Sequence, residues 1–81
     1  MRNQVTLDEL KRRLLTRIRA AGTGHNVIDV VIVRSRGLTP ANWHIGDFVS
    51  VGRKPVSDDC KHCAFAAQSE LQRDIDVIWT D

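Results

Sequence analysis

The chain has no tyrosine, one methionine, two prolines and only two cysteines among its 81 residues. Trp43, Phe48, Phe65 and Trp79 are its aromatics, too few for the stacking platforms that bind single-stranded nucleic acid. Two cysteines three positions apart do not make the disulfide framework of a small secreted domain. No apolar run approaches the roughly 20 residues that a membrane-spanning helix needs. The opening M-R-N-Q-V-T-L-D-E lacks the apolar centre of a signal peptide. A cytoplasmic location with no membrane partner is therefore the expectation.

What is present is an ordinary globular composition, with 42% hydrophobic and 27% charged residues, which suits a single small domain over residues 1–81. A chain of this size removes only about 60–65% of its unfolded surface from water. Association with a further chain is a natural way to add to so modest a core.

The net charge of +2 hides a polarity. Residues 1–21 carry Arg2, Lys11, Arg12, Arg13, Arg17 and Arg19 against Asp8 and Glu9. Residues 57–81 carry Lys61 and Arg73 against Asp58, Asp59, Glu70, Asp74, Asp76 and Asp81. One end is basic and the other acidic.

The densest β-branched run is Asn26 to Arg34, N-V-I-D-V-V-I-V-R. Such side chains pack well on a pleat, so the run predicts a strand over 26–34. Strict alternation would place Ile28, Val30 and Ile32 on one face and Val27, Asp29, Val31 and Val33 on the other. Both faces are largely apolar, so each calls for a cover.

Two helices flank it. Thr6 and Glu9 have the spacing of a capping box, and Val5 and Leu10 that of a hydrophobic staple. Leu7, Leu10, Leu14, Ile18 and Ala21 then form one stripe, with Leu15 at its edge and Gly22 as the stop. A second helix is predicted from Ser57 to about Gln72, with Asp58 and Asp59 in its first turn. Its stripe, Cys60, Cys63, Ala64, Ala67 and Leu71, is small at the start. Trp43, Ile45, Phe48, Val49 and Val51 suggest a strand bulged near Gly46. Ile75, Val77 and Trp79 suggest a last short strand. The predicted fold is α+β in the order α-β-β-α-β, two amphipathic helices on one face of a small three-stranded sheet.

Three features could carry chemistry. Cys60-Lys61-His62-Cys63 is a C-x-x-C at a helix start, where a thiol pKa falls, although Asp58 and Asp59 oppose that. Cys60 and Cys63 with two of His25, His44 and His62 would make a tetrahedral zinc set. Zinc folds usually show two such pairs, and the simplest reading is two small side chains on the helix stripe. Second, Arg12, Arg13, Arg17 and Arg19, with Lys11, spread opposite the leucine stripe, and Arg34, Arg36, Arg53 and Lys54 could extend them. They form a surface for nucleic-acid phosphates or for an acidic partner; a solvated face is the plainer alternative. Third, Trp43 is expected to anchor the core edge through its N–H, and Asn42 to bond turn backbone. No spacing assembles a catalytic set, and Gly22-x-Gly24 follows a helix rather than a strand, the wrong order for a phosphate-binding turn.

The β-branched strand, the Gly/Pro loop, Asn42-Trp43 with Ile45, and the Cys60 helix ending Glu70-Leu71-Gln72-Arg73-Asp74 together resemble small proteins of alphaproteobacteria and their phages. The resemblance covers about residues 26–79 and rests most specifically on Asn42-Trp43. In that pattern an aromatic followed by Asp often stands near 74–75, where this chain has Ile75-Asp76, and the second cysteine is also a departure. The resemblance implies a bacterial origin but no activity and no site residues.

The sequence thus predicts a non-catalytic interaction module acting through self-association or a protein partner, without cofactor or evident small-molecule substrate. The alternatives are a nucleic-acid module using Arg12, Arg13, Arg17 and Arg19, and a zinc or thiol site at Cys60 and Cys63. With the helices on one side of the sheet, the face bearing Val27, Asp29, Val31 and Val33 is the expected docking face.

Overall fold

A computed structural model describes residues 3–22, 26–35 and 41–79, apart from the side chain of Arg53. The elements run β1 (Asn3–Thr6), α1 (Leu7–Ala20), β2 (Val27–Arg34), β3 (Trp43–Ser50), α2 (Asp58–Gln72) and β4 (Ile75–Ile78). A 3-10 turn, Val51–Arg53, links β3 to the segment before α2.

The α+β class holds, but the order and the sheet differ from expectation. The strands form two sheets of two strands each, among the described residues. β2 and β3 make an antiparallel hairpin. β4 does not join it; it pairs in parallel with β1, with Val5 beside Val77 and Thr6 beside Ile78. β1 is the strand that sequence pattern misses. Asn3 and Gln4 are poor strand formers, and the segment is extended because β4 supplies its ladder, beginning with Asn3 N–H to Asp74 O at 2.8 Å.

Thr6 closes β1 and caps α1 at once, its hydroxyl accepting from Glu9 N–H at 3.2 Å. Strand and helix therefore meet without a loop. Leu10, Leu14 and Ile18 are fully buried. Leu7 and Leu15 pack at the edge of the core, and Ala21 lies exposed beyond it. Gly22 ends the helix at φ +76°, the left-handed conformation that glycine adopts without strain. Ser57 caps α2 by accepting from Cys60 N–H at 3.1 Å. Cys60, Ala64, Ala67 and Leu71 then face inward, and side chains this small let the helix lie close.

The hairpin carries two irregularities that revise the expected faces. Pairing steps from Val27–Ser50 to Asp29–Val49, so Ile28 is an extra residue on β2. This bulge turns Val27 inward beside Val30 and Ile32, and leaves Ile28 exposed. The expected faces are corrected at these two positions: Val27 belongs to the core and Ile28 to solvent. The second step falls between Val31–Asp47 and Ile32–Ile45, making Gly46 the extra residue on β3. A β-carbon on Gly46 would fall on Cγ2 of Val33, so any larger residue there requires the Val33 side chain to move.

Side-chain amides explain why the two sheets stay apart. Asn42 Nδ2 donates to Val77 O and Asn42 Oδ1 accepts from Val77 N–H, both at 2.9 Å. Trp43 Nε1 donates to Ile75 O at 2.9 Å. The backbone groups of β4 that a further strand would take are thus occupied. On β3, Gln72 Nε2 donates to Trp43 O at 2.7 Å, and Ile45 N–H donates to Gln68 Oε1 at 2.6 Å. Gln68 and Gln72 stand one turn apart on α2 and reach the same strand edge. Asn42 was expected to bond turn backbone; it bonds β4 instead. Trp43, fully buried, is the largest side chain in a core that touches both sheets and both helices.

Candidate interaction surface

The outer face of the hairpin is built by alternation. Asp29, Val31 and Val33 on β2 lie across from Val49, Asp47 and His44 on β3. Val31, Val33 and Val49 are 42%, 40% and 39% exposed, so all three keep apolar surface in water on one side of a short sheet. Of the four residues expected on this face, Asp29, Val31 and Val33 are brought together, and Val27 is not. Gly46 opens the strand beside Val33. His44 Nδ1 shares a 2.5 Å hydrogen bond with Ser35 Oγ.

Asp29 has two engagements. Its Oδ1 accepts from Val30 N–H at 2.8 Å, and its Oδ2 meets Lys11 Nζ at 3.5 Å. Arg19 reaches the same strand, donating to Val27 O at 3.4 Å. Two bases of α1 therefore dress the start of β2, while Val31 and Val33 farther along remain bare. Charges placed along a strand edge discourage unwanted pairing there.

The other bases of α1 are also engaged. Glu9 takes Arg12 on one carboxylate oxygen and Arg13 Nε on the other, the latter at 3.0 Å. The Arg13 hydrogen bond is the main reason the Glu9 carboxyl sits below the usual carboxylate range. Arg12 adds to it, and partial loss of solvent opposes it. Arg17 Nη1 meets Glu70 Oε2 at 2.7 Å. The basic end of the chain thus meets its acidic end within one molecule, where a contact between copies had been the expected alternative. Three of the four arginines are paired with carboxylates, and Arg19 meets a backbone carbonyl. Arg12, Arg13 and Arg17 border an open groove floored by Leu71, with Glu9 inside it.

Of the two cysteines, Cys60 belongs to the hydrophobic core. Cys60 is buried and Cys63 half-buried, and both are free thiols. His62 is exposed on α2, and His44 lies on β3. Among the described residues no three His, Cys, Asp or Glu side chains gather as a metal site. His25, the remaining zinc candidate, and Arg36 lie outside the described residues. Arg34 lies over the Trp79 ring, 5.1 Å from its centroid, and Lys54 is exposed.

No helix among the described residues is long and apolar enough to cross a membrane. No protein-family model, curated protein or solved structure matches the chain.

Proposed function

We propose that this protein is a non-catalytic interaction module that buries the outer face of its hairpin against a second polypeptide, in the first instance another copy of itself. The observation that carries this reading is the strip of Val31, Val33 and Val49, each exposed by about two fifths. Apolar side chains grouped on one face mark contact surfaces more often than isolated ones do. The modest core of an 81-residue chain would gain from such burial. A bacterial, cytoplasmic setting belongs to the same proposal.

Sedimentation over a wide concentration range tests it. The expected result is a concentration-dependent dimer that Val31→Ser with Val33→Ser converts to monomer while the fold survives. A monomer at every concentration, together with no captured protein partner that those substitutions release, overturns it.

Binding of nucleic acid through Arg12, Arg13, Arg17 and Arg19 is the second reading, favoured by the open groove that three of these arginines border. Their pairing with Glu9 and Glu70 weakens it, because phosphates would have to displace carboxylates. A titration with duplex DNA or RNA at low ionic strength decides the matter, since phosphate contacts give a steep salt dependence.

A further inference from the structure

Among the described lysine and arginine side chains, Lys54 and Lys61 meet no partner, and both line one cleft. Lys11, Arg12, Arg13, Arg17 and Arg19 are held by Asp29, Glu9, Glu70 and the Val27 carbonyl. Arg34 lies on Trp79, and Arg73 is also engaged. The cleft measures about 350 Å³ and lies between the end of β3, the segment that follows it and the first turns of α2. That volume is within the range of small-molecule sites, about 300–1,000 Å³.

Its wall is fixed. Ser50 Oγ donates to Lys54 O at 2.5 Å, and Asn26 Nδ2 donates to Pro55 O at 3.3 Å, so the segment bearing Lys54 is tied to the hairpin at two points. Lys61 N–H donates to Ser57 O at 3.0 Å within the first turns of α2. Phe48 is braced edge-on by Phe65, ring centroids 6.1 Å apart. Phe48, Val49 and Val56 give the cleft its apolar surface. Asp47 also lines it, and its Oδ1 already accepts from Phe48 N–H at 2.8 Å.

We propose that this cleft binds a small monocarboxylate with an apolar body, its carboxylate held by Lys54 and Lys61 and its body lying on Phe48, Val49 and Val56. Two ammonium groups and the Asp47 carboxylate leave one positive charge, which matches a monoanion. A phosphate dianion would exceed that charge, face Asp47, and make no use of the apolar floor. An ammonium-to-carboxylate hydrogen bond is among the stronger polar contacts. The apolar body adds contact that an inorganic anion lacks. The site goes beyond the interaction reading and borders its surface, sharing Asp47 and Val49 with the outer face, while neither lysine lies on the valine strip.

The test is an amide NMR titration of the full chain with hexanoate near neutral pH and low ionic strength. Saturable shifts are expected at Phe48, Val49, Lys54, Val56 and Lys61. Lys54→Gln with Lys61→Gln should keep a dispersed spectrum and weaken hexanoate by about tenfold or more, the loss expected for two charge-assisted contacts. Hexan-1-ol, which keeps the body and drops the charge, should weaken by a similar factor. Absence of cleft shifts, or shifts that the double substitution leaves unchanged, overturns the proposal. Inorganic phosphate binding as tightly as hexanoate also overturns it, because the apolar floor would then contribute nothing.

Discussion

Asn42 grips Val77 with both ends of its side-chain amide, donating from Nδ2 to the carbonyl and accepting the N–H on Oδ1, each at 2.9 Å. The pair stands in for the rung that a neighbouring strand would contribute to β4. The Asn42 backbone joins in as well, its N–H donating to Asp76 Oδ1 at 3.2 Å and its carbonyl accepting from Trp79 Nε1 at 3.2 Å. One residue thereby ties the hairpin to the last strand.

Asn42→Asp should cost more than its near-identical shape suggests. It keeps the acceptor for Val77 N–H but loses the donor to Val77 O, and it sets a carboxylate against that carbonyl and close to Asp76. Leaving a part-buried group unpaired costs about 1–3 kcal/mol. Asn42→Ala should fall in the same range, with Asn42→Asp the worse of the two near neutral pH. Urea unfolding of the three proteins checks the order. Equal midpoints for Asn42→Asp and the unaltered chain would remove Asn42 as the tie.

Gly46→Ala tests the bulge. A methyl group there meets Cγ2 of Val33, and overpacking of this kind costs about 1–3 kcal/mol. Val33 is 40% exposed, so trimming it is mild by itself. Combining Gly46→Ala with Val33→Ala should recover most of the loss, because the clash partner is gone. A double-mutant cycle with no coupling between the two positions would show that the glycine serves something else.

The helices were legible because their signals are local. Thr6 and Ser57 announce their caps, and leucines or small residues at helical spacing announce the buried faces. The strands were legible as strands but not in their partnerships. Asn3 to Thr6 contain one apolar residue, and nothing local marks them as extended; β4 does that from the other end of the chain. The Ile28 bulge was hidden because Val27, Ile28, Val30 and Val31 are all β-branched, so Asp29 alone could mark a shift of phase. The outer face was legible in Asp29, Val31 and Val33, and the alternation was misread at Val27 and Ile28. The Lys54–Lys61 cleft was hidden, since those lysines line one cavity only when the end of the hairpin lies beside α2. The arginines of α1 were visible, but their carboxylate partners at Glu9 and Glu70 follow from side-chain geometry.

Glu9 predicts an acid-side effect with a definite sign. Its carboxyl lies below the usual range in the folded chain, chiefly through the Arg13 hydrogen bond. A lowered folded value means that the contribution is complete above the unfolded carboxyl pKa. It is lost as pH falls through the folded value. Glu9→Gln should therefore be less stable than the unaltered chain near neutral pH, and the gap should close on acidification. Thermal midpoints measured from about pH 6 to about pH 2 would reveal it, the span over which carboxylates protonate. A gap that stays constant across that range would mean the arginines contribute nothing through the Glu9 charge.

The cysteines separate packing from chemistry. Cys60 is 1% exposed among the apolar side chains beneath α2, whereas Cys63 is half-buried beside a groove lined by Arg17 and Ala67. A thiol reagent should label Cys63 in the native protein and reach Cys60 only in denaturant, because a buried thiol is shielded from attack. Cys60→Ser should destabilise by about 1–3 kcal/mol, because it exchanges a thiol of the apolar core for a more polar hydroxyl. Cys63→Ser should stay within about 0.5 kcal/mol. Metal analysis of protein purified without chelator completes the experiment. Stoichiometric zinc, with both thiols protected until a chelator is added, would turn the pair back into a metal site. A single reactive thiol and no zinc would leave Cys60 as a core residue whose small size sets how closely α2 lies on the sheet.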